Sequence, residues 1–190
     1  MNKGYWSYYY DKYQSPTDPS DFAQFVNSII KTNSKIIDIG CGNGRDTQFF
    51  EQNDHNVVGV DNIEVPNFLG KNLIKCDATN LNVFGDVYYC RFFLHTLSES
   101  DCDVFLKRMS LIIGDGRIFI ETRSSDTNSR KKVKFKSPIG ENHYRMLYSI
   151  DYLDFKFSKY FKVEFISEST EFAVYENEKP LVIRSILKKK

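Results

Sequence analysis

An α/β fold is predicted, a doubly wound, mostly parallel sheet with helices on both faces. Three observations predict it. Short apolar runs and amphipathic helical stretches alternate from residue 18 to residue 125. A turn with three glycines, Gly40, Gly42 and Gly44, separates the first apolar run from a helix. Two further strand-like segments follow at the carboxyl end, after the alternation has ceased.

The elements follow in order. Residues 1–15 carry Tyr5, Trp6, Tyr8, Tyr9, Tyr10 and Tyr13, too many rings for a free tail. Asp18 is a candidate cap and Pro19 suits a first turn, so a helix begins there, with Phe22, Phe25, Val26, Ile29 and Ile30 on one face. Strand-like runs lie at 35–39, 56–60, 73–76, 86–90 and 117–122, with a helix from about Arg45 to Asn53. Another helix runs from Ser98, its cap, to about Ile113 and carries Val104, Phe105, Leu106 and Met109. Residues 124–140 are polar and basic and read as a long loop near the site. A helix near 149–159 and strands at 161–166 and 181–187 complete the chain.

Composition narrows the classes. With 190 residues, 41% hydrophobic and 27% charged, the chain is expected to form one globular domain. It divides into an N-terminal covering segment and helix (1–33), a core (35–125) and a substrate-side loop with the last strands (126–190). Twenty-six Lys and Arg against 25 Asp and Glu give a net charge of +1, which disfavours a dedicated nucleic-acid binder. No apolar run reaches the length of a membrane span and no signal peptide opens the chain, so a cytoplasmic protein without membrane partners is expected. Cys41, Cys76, Cys90 and Cys102 lack metal-ligand spacing; they read as reduced thiols, with Cys41 placed to line a site, and no metal is expected.

The segment Ile36-Ile37-Asp38-Ile39-Gly40-Cys41-Gly42-Asn43-Gly44-Arg45-Asp46 carries the chemistry. Glycines let backbone approach a ligand and aim helix amides at it. A dinucleotide fingerprint needs a glycine where Arg45 stands. Asp38, at the strand end, repels a pyrophosphate and attracts a ligand bearing an ammonium and a sulfonium.

Asp38 to Gly44 resembles motif I of the class I S-adenosylmethionine-dependent methyltransferases. The resemblance continues through Asp61 after the second strand, Asp77 after the third, the fourth strand with Arg91, and the Gly114–Glu121 segment. It implies a Rossmann-like, seven-stranded sheet with an antiparallel last strand, S-adenosyl-L-methionine as cofactor, S-adenosyl-L-homocysteine as product, Asp61 at the ribose and Asp77 near the adenine. Asn62, Ala78 and Phe92 join the cofactor-binding set with Asp38, Gly40, Cys41, Gly42, Asn43, Gly44, Arg45, Asp46 and Arg91. A narrower likeness spans nearly the whole chain, on segments including Trp6–Tyr10, Arg91–His95, Glu121–Ser124 and His143–Arg145. It is to small bacterial and viral methyltransferases often encoded with surface-polysaccharide enzymes.

The resemblance implies transfer of a methyl group to O or N of a small, anionic or sugar-linked metabolite. For the base, His95 is the first candidate and Glu121 and His143 the next; a helix-start histidine bonded to backbone is the alternative reading of His95. Arg91, Arg123 and Arg145 either converge on an anionic substrate group or form surface ion pairs. Tyr9, Tyr10 and Tyr13 are candidate substrate contacts, and the resemblance also implies that Trp6, Tyr9, Tyr10 or Tyr13 lies across the cofactor; the N-terminal rings read equally as core or surface cover. The run Arg130–Lys136 is a solvated loop, a lid over an anion, or a contact for RNA or protein substrates. An inactive cofactor-binding partner subunit is the remaining alternative. Oligomeric state is not readable.

Overall fold

The computed structural model describes residues 3–12, 16–125, 130–136, 142–174 and 178–190. Helix α1 (Lys3–Lys12) precedes α2 (Asp21–Ile29). The alternating part then runs β1 (Lys35–Ile39), α3 (Arg45–Gln52), β2 (Asn56–Asp61), β3 (Leu73–Lys75), β4 (Val87–Arg91), α4 (Glu99–Ile112) and β5 (Arg117–Arg123). After it come β6 (Lys131–Lys136), β7 (Asn142–Leu147), α5 (Ile150–Phe157), β8 (Phe161–Ser169) and β9 (Val182–Lys189).

Seven strands form one sheet in the order β3-β2-β1-β4-β5-β9-β8. Strands β1 to β5 pair in parallel, while β9 lies antiparallel between β5 and β8. This is the predicted mixed sheet. Strand order reverses between β1 and β4, so their carboxyl ends diverge and leave a crevice.

Alternation along the central strands supplies both cores. Ile36, Val57, Val87, Tyr89 and Phe119 point to one face and pack with Phe22, Ala23, Val26 and Phe50 of α2 and α3. Ile37, Tyr88, Cys90, Ile118 and Ile120 point to the other, beneath Phe105, Leu106 and Met109 of α4 and Leu153 and Phe157 of α5. The helical periodicity also includes Ile29 and Val104, which lie half exposed at the margins of these faces.

Four local expectations change. The α2 cap is Ser20, whose Oγ accepts from the Ala23 amide, rather than Asp18; the helix starts later because Ser20 is also held by Asp46. The aromatic N-terminus includes a helix. Within the expected loop at 124–140, residues 131–136 form β6, which pairs with β7 as a separate antiparallel hairpin. Alternation of Lys132 and Lys134 with Val133 and Phe135 gives that strand one basic and one apolar face. Strand β8 extends to Ser169 through an irregularity between Val163 and Phe165.

Asp46 joins the N-terminal region to the sheet. The Ser20 amide and hydroxyl and the Tyr89 hydroxyl all donate to its carboxylate, each at 2.8 Å, and all three residues are buried. Replacing Asp46 with alanine strands two buried hydroxyls and an amide, and we expect a loss of about 2–4 kcal/mol in urea unfolding. Tyr89→Phe, which removes only one donor, should cost about 1 kcal/mol.

Candidate active site

The crevice opens into a cavity of about 510 Å³, a volume suited to a small ligand. The β1–α3 turn forms its floor. Gly40, Gly42 and Gly44 all have positive φ (73°, 55° and 80°), and a side chain at Gly40 would meet Phe93 at 2.7 Å. At Gly42 it would collide with the Tyr10 hydroxyl and at Gly44 with the Phe68 ring. Only glycine satisfies both backbone and space there.

Acids line this half. Asp38, 2% exposed, accepts from Thr47 Oγ1 at 2.6 Å, and burial pushes its carboxyl up to about 8, with the nearby Asp46 and Asp61 adding to the rise. Asp61, at the end of β2, accepts from the Gly42 amide (3.1 Å) and from the Asn62 and Ile63 amides. Burial raises its carboxyl too, and those amides oppose the rise. Cys41, Asn43, Arg45, Asn62 and Ala78 complete the wall, and Asn43 donates to the Pro16 carbonyl. Asp46 touches the cavity, but its carboxylate is engaged by Ser20 and Tyr89.

Asp77 is not on the wall. Its carboxylate accepts from the Thr79 amide and hydroxyl, capping a short 3-10 turn, and Cys76 and Ala78 flank the cavity instead. The expected acidic contact is thereby turned into a backbone-positioning one.

The opposite half is basic and aromatic. Phe92 follows β4 with φ of 52°, a strained value for a side chain with a Cβ, and lies beneath the Arg91 and Arg123 guanidiniums (4.4 and 5.5 Å to its centroid). His95, in a 3-10 turn after β4, is 2% exposed and lines the cavity. Its Nδ1 is buried without a hydrogen-bond partner among the described residues, which corrects the backbone-paired reading for that nitrogen. Burial, then Arg145 and Arg123, hold its pKa well below the ordinary histidine value. The ring is neutral at neutral pH.

Two other candidate bases are placed elsewhere or engaged. Glu121 lines the cavity, but Arg91 Nε (3.1 Å) and Arg184 Nε (2.8 Å) each take one of its carboxylate oxygens. Burial raises its carboxyl and the two guanidiniums pull it back. His143 is off the cavity wall, stacked on Tyr5 at 4.4 Å and close to Trp6 and Phe135. Burial lowers it to about 4.

Arg91, Arg123 and Arg145 all face the cavity. Trp6, Tyr9 and Tyr10 line it from α1. Tyr10 lies against the glycine turn, in the acidic half. Tyr13 lies outside the described residues. Arg184, Phe68 and Phe93 contribute without having been singled out for these roles in the sequence; Arg184 reaches Glu121 only through the β5–β9 register.

Residues 3–88 match the family model described as tellurite resistance protein TehB. Among solved structures, the 1,6-didemethyltoxoflavin-N1-methyltransferase of Burkholderia thailandensis, bound to 1,6-didemethyltoxoflavin and S-adenosylhomocysteine, is similar at a TM-score of 0.77 and 18% identity, over 98% of this chain and 86% of that one. The glycopeptide N-methyltransferase MtfA, complexed with S-adenosyl-L-methionine, gives 0.71 and 12% identity over 93% and 96%. A SAM-dependent methyltransferase from Methanosarcina mazei gives 0.71 and 14% over 87% and 96%. No curated protein sequence matches this chain. The fold is that of the class I S-adenosylmethionine-dependent methyltransferases. These similarities lend no support to the polysaccharide link. Among the described residues no helix is long and apolar enough to cross a membrane.

The raised Asp38 carboxyl fixes a pH dependence. Between its ordinary value of 3.8 and about 8 the folded protein keeps a proton that the unfolded chain has released, so stability falls as pH rises through that window and levels off above it. Urea unfolding across the window should show this slope, and Asp38→Asn should flatten it; the same slope in the variant would assign it to other groups.

Proposed function

We propose that this protein transfers a methyl group from S-adenosyl-L-methionine to an oxygen or nitrogen of a small, anionic or sugar-linked acceptor. The observation that carries this reading is one cavity with an acidic half around the glycine turn and a basic half around His95. The turn is built on three positive-φ glycines against which Phe93, Tyr10 and Phe68 pack, and Asp38 beside it is a buried acid that a cationic group would stabilise in its charged form. The residues present fit that cofactor.

Its sulfonium supplies an activated methyl group and leaves as the neutral thioether of S-adenosyl-L-homocysteine. Asp38 attracts the amino group. Asp61, fixed by three backbone amides, retains lone pairs for ribose hydroxyls. Ala78 and Phe92 flank the base, and Tyr9 with Arg123 and Arg145 faces the acceptor. Neutral His95 takes the acceptor's proton as the new O–C or N–C bond forms and the S–C bond breaks. Arg91, paired to Glu121, stiffens the boundary between the halves. No metal has a part in this scheme.

A cavity of this size favours a small acceptor over RNA or protein, the reading that the exposed Lys131, Lys132 and Lys134 support. Steeply salt-dependent RNA binding would favour that alternative. Cofactor binding with no turnover on any acceptor would favour a partner subunit.

Calorimetry should detect S-adenosylhomocysteine binding, and Asp61→Ala should weaken it about tenfold or more. No binding at millimolar ligand defeats the reading. Titration of S-adenosylmethionine below about pH 8, in buffers of different ionisation enthalpy, should show proton release as Asp38 becomes charged. With an acceptor in hand, His95→Ala should cut turnover about 100-fold while cofactor affinity stays nearly constant; an unchanged rate would leave alignment alone as the mechanism.

A further inference from the structure

We infer that Arg123 and Arg145, without Arg91, form a subsite for a phosphate group on the methyl acceptor, beside His95. The inference rests on the methyltransferase reading and names the acceptor's class as a phosphomonoester.

Charge accounting separates the arginines. Arg91 gives its Nε to Glu121, and the second oxygen of Glu121 goes to Arg184. Arg184 is further occupied, donating to the Phe172 carbonyl at 2.5 Å and lying over the Phe22, Phe25 and Phe172 rings. Arg91 is therefore a paired, only partly compensated cation. Its charge reaches Asp38 on one side and Arg123 and His95 on the other, which places it at the boundary between the halves.

Arg123 and Arg145 are different. Each has a buried Nε with no hydrogen-bond partner among the described residues, and both line the cavity. Arg145 otherwise meets the Phe135 ring at 4.8 Å and Arg123 the Phe92 ring at 5.5 Å, contacts that leave N–H donors unused. The two guanidiniums repel each other, and with burial this lowers Arg145 to about 10. Two half-buried cations that share no buried acid call for an anion between them. The acid nearest in effect is Glu178, exposed on the cavity wall, whose charge acts on both arginines.

His95 supplies the second observation. It is nine-tenths buried and more, opens onto the same cavity, and has an unpartnered Nδ1. The charged and titratable groups acting on it are Arg145 and His143 from β7, Arg123 from β5 and Arg91 from β4. All four oppose its protonation. A dianion on Arg123 and Arg145 cancels the two largest of these charges, so seating the acceptor's phosphate raises the basicity of the histidine that must take its proton. A phosphomonoester carries the double charge that two guanidiniums match, and offers oxygens to both forks.

The test uses the full chain saturated with S-adenosylhomocysteine, with inorganic phosphate as the probe. Phosphate binding is measured by calorimetry and the His95 ring by NMR titration. The expected result is saturable phosphate binding that shifts the His95 titration upward. Arg123→Gln and Arg145→Gln should each weaken phosphate about tenfold or more with S-adenosylhomocysteine affinity within about twofold. Glu178→Gln should tighten phosphate by removing the opposing charge. Should either glutamine variant fail to fold, Arg145→Lys and Arg123→Lys keep the charge, lose the fork, and should still weaken phosphate severalfold.

Phosphate binding that is unchanged in all arginine variants, or that leaves His95 unmoved, overturns the subsite. Parallel loss of phosphate and S-adenosylhomocysteine affinity also overturns it and gives the pair to the cofactor's carboxylate. Wild type that fails to bind S-adenosylhomocysteine defeats the methyltransferase reading instead.

Discussion

A carboxylate buried in the middle of a sheet persists only where cations compensate it, and Glu121 is compensated twice. Strand register places Arg91 of β4 and Arg184 of β9 opposite it on either side, so the three form one row across the carboxyl edge of β4, β5 and β9. The row takes up both carboxylate oxygens of Glu121. Its effect is to hold a rigid, partly neutralised boundary at the cavity, with Phe92 packed under Arg91 and bent into a strained turn.

Segregation of charge is what gives the cavity its direction. Asp38 and Asp61 sit where backbone amides and a threonine hydroxyl are their main partners, so burial raises both. Arg123 and Arg145 sit where aromatic rings are their main neighbours, so burial lowers both. Shifts of opposite sign in the two halves of one cavity are the pattern that burial produces where like charges are gathered, and such shifts cluster at functional sites.

The N-terminal helix and the β6–β7 hairpin close the two halves from above. Tyr10 bears on Gly42, and His143 stacks between Tyr5 and Phe135, so that stacked rings join α1 to the hairpin. A histidine whose ring nitrogens have no hydrogen-bond partner among the described residues suits such a contact only while neutral, and its low pKa keeps it so. The hairpin also brings Arg145 inward beside Arg123, two residues separated in sequence by a basic stretch.

Sequence alone was sufficient for the alternating strands and the glycine turn with Asp38 and Asp61 beside it. These features are local: apolar periodicity, positive-φ glycines and strand-end acids each act within a few residues of themselves. The roles of Glu121, Asp77 and Arg91 were decided by tertiary structure. Whether a carboxylate or guanidinium is free depends on partners brought from other strands, and the Glu121–Arg184 pairing exists only through an antiparallel register that no local pattern encodes. Likewise β6 reads as a polar loop because half its side chains face water; it becomes a strand only when β7 satisfies its backbone.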